Sequence, residues 1–187
     1  ETLVTPEMLL PENAVCMRLP GTDGKAKMSK SLGNCIYLSD TSKEIKKKVN
    51  SMFTDPEHLQ ITDPGHVECN VVFSYLDAFC QPEHFAKYLP EYENLDAMKD
   101  HYRRGGLGDG TCKKFLFNIM EEFLQPMREK RAQYEQNIPQ VYEILRKGSE
   151  VARAEAAKTL ADVRKAMKID YFDDAELIAE HTRKFQK

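Results

Sequence analysis

The segment from Gly21 to Asn34 concentrates the side chains that could do chemistry. Lys25, Lys27 and Lys30 stand beside Ser29 and Ser31 on a stretch that Gly24 and Gly33 make flexible. A lysine ammonium is a compact, strongly hydrated cation that suits phosphate. Glycine lets the backbone approach an anion closely, and serine hydroxyls add donors. Such a set could hold a polyphosphate and stabilise negative charge that builds on it. The same composition also describes a solvated, lysine-rich turn. A helix start follows at Thr41-Ser42-Lys43-Glu44, a capping box, but too far downstream to aim its dipole at the loop.

The elements that must position this loop are mostly helical. The chain has 187 residues, 41% of them hydrophobic and 30% charged, and a formal net charge of −3. That balance excludes a chain-wide basic surface but leaves room for a local one. No run of 18 apolar residues exists, so no transmembrane helix and no membrane partner are expected. The first residues carry Glu1, Glu7 and Glu12 without an early basic cluster, which argues against a secretory signal. A glutamate at position 1 reads as a processed chain or a cut piece. Cys16, Cys35, Cys69, Cys80 and Cys112 contain no C-x-x-C pair. They read as reduced thiols in a cytoplasmic protein, each a small apolar residue of the interior, and no protein-held metal is expected.

Residues 1–22 are broken by prolines, with possible short strands at 15–19 and 35–38. Ile45, Val49, Met52 and Phe53 then form one apolar stripe behind the capping box. Residues 54–68 read as a loop. Asn70 caps a helix over 71–80 with Val72, Phe73, Leu76, Phe79 and Cys80 inward. Pro82 opens a short helix, and Pro90 ends it. A helix over 92–104 closes at Gly105-Gly106. The longest helix starts at Thr111, buries Phe115, Ile119, Met120, Phe123, Leu124 and Met127, and kinks at Pro126. Further helices open at Pro139 and span 149–167 and 173–186. Seven or eight helices packed as a bundle are expected.

Spelled out, Lys27-Met28-Ser29-Lys30-Ser31 resembles the KMSKS signature of class I aminoacyl-tRNA synthetases. Gly21-Thr22-Asp23-Gly24-Lys25 before it and Leu32-Gly33-Asn34 after it extend the match. Downstream stretches resemble the tryptophanyl-tRNA synthetases of bacterial type. They are Ile36 to Asp40, Glu44 to Val49, Thr54-Asp55-Pro56, Cys112-Lys113-Lys114, Pro126 to Arg131 and Lys158 to Met167. The related tyrosyl-tRNA synthetases share the fold and the loop, but the last two patterns fit them less well. The family's His-x-Gly-His motif is absent: none of His58, His66, His84, His101 and His181 stands in that context. The resemblance therefore implies a C-terminal half. Its fold class is mainly α: residues 1–50 are the last piece of a Rossmann domain carrying the KMSKS loop, and residues 51–187 are a helical bundle that binds the tRNA anticodon.

The resemblance implies an enzyme that activates tryptophan with ATP and charges tryptophan tRNA, with this half inactive alone. Lys27 and Lys30 are the implied catalytic cations. Lys27, Met28, Ser29, Lys30 and Ser31 form the implied ATP-binding loop, with Mg2+ carried on the ATP phosphates. Some relatives hold an iron–sulfur cluster through four cysteines. Cys112 matches the last of them, but two other positions are Tyr102 and Asp109, so no iron–sulfur cluster is expected. Lys99, Arg103, Arg104, Lys113 and Lys114 outnumber Asp100 and Asp109, and Arg128, Lys130 and Arg131 follow. Arg103, Arg104, Lys113, Lys114, Arg128 and Arg131 are the candidate tRNA contacts, against the alternative of a solvated helix surface with salt bridges. His66 and His101 read as surface residues. The intact enzyme is expected to be a cytoplasmic homodimer. The alternative functions are a stand-alone tRNA-binding module without catalysis and the tyrosyl enzyme.

Overall fold

Helix caps set most of the element boundaries in the computed structural model, which describes residues 2–13 and 17–186. The Thr41 hydroxyl accepts the Glu44 N–H, and the Glu44 carboxylate accepts the Thr41 N–H, so α1 spans Ser42–Asn50. Asn70 caps α2 (Val71–Phe79), Pro82 opens α3 (Pro82–Tyr88) and Asn94 caps α4 (Leu95–Arg104). Two long helices follow, α5 (Asp109–Glu135) and α6 (Ile138–Ala166), then α7 (Ala175–Phe185) behind Asp174. The described residues form no strand; a single antiparallel bridge joins Pro20 and Lys27. No described helix is long and apolar enough to cross a membrane.

The chain divides into two compact units, Leu10–Gln133 and Tyr134–Lys187 together with Glu1–Leu9. The core lies in the first. Ile45 and Val49 of α1, Val72, Phe73 and Leu76 of α2, Phe85, Met98, Tyr102 and the α5 residues Phe115, Leu116, Ile119 and Leu124 are all buried. Phe85 meets Phe115 with ring centroids 4.9 Å apart, and Phe73 meets Tyr102 edge-on at the same distance. In the second unit α6 and α7 bury no residue at all. Their apolar stripes, including Tyr142, Leu145, Leu160 and Met167, are exposed.

Several sequence expectations are corrected. Of the strand expected at 15–19, Val15 and Cys16 lie outside the described residues, and Met17 to Leu19 form no strand. Cys35 to Leu38 also form none: the Tyr37 N–H is taken by the Asp40 carboxylate at 2.8 Å instead of a neighbouring strand. Phe123 and Met127 are 46% and 39% exposed rather than buried, Phe123 at the edge of the buried stripe and Met127 beyond its last residue, Leu124. Phe123 still packs on Phe79, with centroids 5.4 Å apart. Phe53 is likewise exposed, lying beyond the end of α1. α4 starts at Leu95 because Asn94 supplies the cap, and α5 starts at Asp109. The helices expected at 139 and 149–167 are one, running through Gly148, and this α6 is the longest. Of the described cysteines, all unbridged, Cys69 is exposed rather than interior and adopts φ 63°.

The loop 54–68 is pinned by Asp55. Its carboxylate accepts the N–H groups of Glu57 (2.9 Å) and His66 (2.7 Å) and bonds the His66 ring Nδ1 at 2.8 Å. Burial pushes the Asp55 pKa up, but these bonds outweigh it and hold the group below its usual value. The bond to Asp55 raises the His66 pKa in turn. The sign follows. Protonated His66 strengthens the pair fully below about pH 6.5, the unfolded value, and that contribution is lost as pH rises through the higher folded value. In an NMR titration His66 should titrate above the usual histidine value, and Asp55→Asn should bring it back.

Candidate functional site

The lysine-bearing loop owes its shape to one buried side chain. Asn34 is 3% exposed. Its Oδ1 accepts the Ser29 N–H at 2.8 Å, while its Nδ2 donates to Asp23 Oδ1 at 3.0 Å and to the Lys27 carbonyl at 3.4 Å. Backbone bonds close the base of the loop, from Gly21 N–H to Ala26 O (2.7 Å) and from Thr22 N–H to Asn34 O (2.9 Å). Gly24 and Gly33 both take φ +67°, a region open to glycine, and let the chain reverse at each end. The Asn34 amide, the first of several donors, holds the Asp23 carboxyl below its usual pKa. The loop is moored to the core by Tyr75, whose hydroxyl donates to the Pro20 carbonyl at 2.9 Å, and by Phe53, whose N–H donates to Thr22 O at 3.0 Å.

Met28, Ser29 and Lys30 line a cleft of about 590 Å³ with Cys35, Tyr37, Ser39, Met127 and Arg131. The Ser29 and Ser31 hydroxyls are 2.9 Å apart. The cleft offers an ammonium, a guanidinium and hydroxyls to an anion, and an apolar floor beside them. No carboxylate lines it, so a magnesium ion could enter only on the anion it accompanies. Lys27 is not brought to this cleft. It borders a separate hollow with Arg18, Pro20, Gly24 and Lys25. The Ser29 N–H, a further candidate anion donor, is taken by Asn34.

The far wall of the cleft is fixed by buried charge. The Asp40 side chain is 7% exposed and pairs with Lys48 of α1. The Lys48 ammonium also sits 4.4 Å from the centroid of the Tyr37 ring. Arg128 of α5 pairs with Glu121 and reaches the Asp40 carbonyl at 3.5 Å. Segment, α1 and α5 are thereby tied behind the cleft. Residue types and spacing alone assign no role to Asn34, Tyr37, Asp40 or Lys48. The one available signal is an asparagine directly after a glycine at the loop's end.

The candidate tRNA contacts fall into two groups. Arg103 pairs with Glu68 at 3.0 Å and Asp100 at 3.2 Å. Lys113 donates to the Asn50 carbonyl at 3.0 Å and so caps the end of α1, and Arg128 is committed as above. Arg104 and Lys114 are exposed, and Arg131 belongs to the cleft. His66 is exposed, while His101 is half-buried and bonded to the Tyr92 hydroxyl at 2.7 Å. Cys112 is buried, and Tyr102 donates to Asp109 at 2.7 Å. Among the described residues no three metal-ligating side chains gather. Arg128→Ala should lower stability by about 1–3 kcal/mol, since it strands the Glu121 carboxylate, and Lys113→Ala by about 1 kcal/mol. Arg104→Ala and Lys114→Ala should stay within about 0.5 kcal/mol. Denaturant unfolding of the four variants checks this.

The family model of tRNA synthetases class I (W and Y) matches residues 2–125. The chain is 52% identical over 174 residues to a tryptophan–tRNA ligase of Clostridium longisporum, covering 93% of this chain and 48% of that protein. It is 51% identical over 172 residues to the tryptophan–tRNA ligase of Streptococcus pyogenes serotype M1, with 92% and 48% covered. A crystal structure of tryptophanyl-tRNA synthetase from Campylobacter jejuni complexed with ADP and tryptophan superposes with a TM-score of 0.63 at 26% identity, over 81% of this chain and 43% of that one. The chain spans about half the length of the curated relatives it matches. With its signature loop folded against a mainly helical body, the chain belongs to the class I tRNA synthetases of the tryptophan and tyrosine family.

Proposed function

We propose that this chain is the C-terminal half of a tryptophan–tRNA ligase, supplying the ATP-phosphate loop and the tRNA-facing helices. In this reading residues 1–50 end a Rossmann domain, residues 51–187 form the helical one, and the intact enzyme is a cytoplasmic homodimer. The observation that carries it is the cleft in which Ser29 and Lys30 of the signature loop face Tyr37 and Arg131. The likeness to tryptophan–tRNA ligases at about half identity favours tryptophan over tyrosine.

The chemistry asked of the loop is electrostatic. In the first step a tryptophan carboxylate oxygen attacks the α-phosphorus of ATP. The bond to the bridging α,β-oxygen breaks, and pyrophosphate leaves with the electron pair. Negative charge therefore grows on the leaving group, and a fixed cation beside it stabilises the transition state more than the ground state. Lys30 is such a cation in the cleft, and the Ser29 and Ser31 hydroxyls can orient phosphate oxygens. Lys27 joins when the loop closes over the nucleotide, a motion its terminal glycines permit. Mg2+ rides on the phosphates. In the second step a terminal ribose hydroxyl of tryptophan tRNA attacks the adenylate carbonyl and releases AMP.

In the intact enzyme Lys30→Ala or Lys27→Ala should slow tryptophan-dependent pyrophosphate exchange about a hundredfold or more, as loss of one charged transition-state contact does. The tryptophan dissociation constant should barely change. An unchanged exchange rate with weakened tryptophan binding would overturn the loop's role.

Binding of tryptophan tRNA should weaken as salt rises, because each neutralised phosphate releases counterions. Replacing Arg103, Arg104, Lys113 and Lys114 together with alanine should weaken it and flatten the salt slope. Most of that effect is expected from the exposed Arg104 and Lys114. Lys184→Ala on α7 should change little, since Glu176 and Glu180 share that helix; Lys187 lies outside the described residues. Filter binding over a salt series reads both, and the opposite ranking would put the tRNA face elsewhere.

A further inference from the structure

We infer that Asn34 is the positioning residue of the signature loop: its amide fixes the backbone from Lys27 to Ser29 and thereby the place of the Lys30 cation. This inference rests on the proposed function and names a residue whose part in it the charged side chains hide.

Three features lead to it. First, apart from Asn34 the stretch from Lys27 to Lys30 is held by few bonds, the Met28 N–H to the Leu19 carbonyl at 3.4 Å and the Lys30 carbonyl to the Gly33 N–H at 3.1 Å. Both ends of the loop turn on glycines with positive φ, Gly24 and Gly33. Second, Asn34 spends its whole amide inside the loop. One oxygen takes the Ser29 N–H, and one nitrogen gives to Asp23 and to the Lys27 carbonyl. The two backbone bonds bracket Met28, so two of the three peptide units between the two implied catalytic lysines are bonded to one side chain, with the Met28 N–H held separately by the Leu19 carbonyl. Third, the amide is enclosed. It is almost fully buried, and a Cβ on Gly21 would come within 2.1 Å of its Nδ2, so a glycine there makes room for it.

The chemistry discriminates asparagine from its acid. The amide must accept from Ser29 and donate to Asp23 at the same time. An aspartate at 34 could still accept from Ser29, but it would set one carboxylate against another 3.0 Å away and against the Lys27 carbonyl. Reversing the pair, with an asparagine at 23, restores a donor between the two positions. A preorganised cation loses effect when its support slackens, even when the cation itself is intact.

The test uses the intact enzyme and four variants: N34D, D23N, N34D/D23N and K30A. Pyrophosphate exchange is measured with tryptophan and ATP varied separately, beside thermal unfolding. N34D is expected to lower the kcat of exchange about tenfold to a hundredfold, with the KM for tryptophan within about twofold and a lowered unfolding temperature that the double variant restores in step with kcat. N34D/D23N is expected to recover part of that loss, since an amide at 23 restores the bond between the two side chains but not the one to the Lys27 carbonyl, a coupling the two single changes would not show if they acted apart. If N34D exchanges like the parent while K30A is slow, the role of Asn34 is overturned and the function stands. If N34D is slow and the double variant is no faster, the amide clasp is not the cause and the inference fails. If K30A itself exchanges at the parent rate, it is the proposed function of the loop that fails.

Discussion

The Tyr102 side chain is the contact on which the first unit is assembled. Its ring is fully buried between Phe73 of α2 and His58 of the long loop, with centroids 4.9 and 4.6 Å away. Its hydroxyl donates to Asp109 at the start of α5, and Asn70, the cap of α2, reaches it at 3.4 Å. The Tyr102 carbonyl accepts the N–H groups of Gly65 and Gly105 at 3.0 and 3.2 Å. One residue thus joins α2, α4, α5 and the loop 54–68. The approach is close: a Cβ on Gly65 would stand 2.3 Å from the ring, so only glycine fits. Losing the ring would open a large cavity, and losing the hydroxyl would leave buried Asn70 without a partner for its amide.

From that centre the order passes outward to the cleft. α2 carries Tyr75, buried two residues beyond Phe73, and its hydroxyl holds Pro20 at the root of the signature loop. Burial raises the Tyr75 pKa, so it remains a neutral donor at any physiological pH. The loop above it is polar and exposed and has no core of its own. It gains its form from a short list of hydrogen bonds instead of from packing. The far wall works differently: it uses paired charge, Asp40 with Lys48 and Arg128 with Glu121. Such pairs are weak sources of stability but demanding in geometry.

What the amino-acid sequence discloses follows the physics of each element. Caps and turns are local, so Thr41, Asn70, Pro82 and Gly105 mark helix ends that the structure repeats. The lysine and serine loop is legible too, because its residue types are unusual and close together. Tertiary partners are not local, and there the reading fails. Periodicity places Phe123 and Met127 on the buried face of α5, yet Phe123 falls at the edge of the stripe of Leu116, Ile119, Met120 and Leu124, and Met127 lies beyond its last buried residue. Lys113 and Arg128 look like solvated cations, yet one caps α1 and the other is half-buried on Glu121. Gly148 looks like a break between two helices, yet good helix formers on both sides, Leu145, Arg146 and Lys147 before it and Glu150, Ala152 and Ala154 after it, carry one helix through it. Asn34 was visible only as the end of a motif, since its three partners are assembled by a turn that no spacing rule describes.

α6 has a thermodynamic consequence of its own. None of its twenty-nine residues is fully buried, and much of what supports them is short-range: the Asn137 cap, Pro139 in the first turn, and pairs such as Arg146 with Glu143 and Glu150. Each pair of that kind contributes only about 0.2–0.5 kcal/mol. The helix around Leu116, by contrast, opens only when the core does. Amide protons in the two places therefore exchange by different routes, helix–coil fraying in one and cooperative unfolding in the other. A free energy of unfolding read from the cooperative transition of the first unit therefore says little about α6.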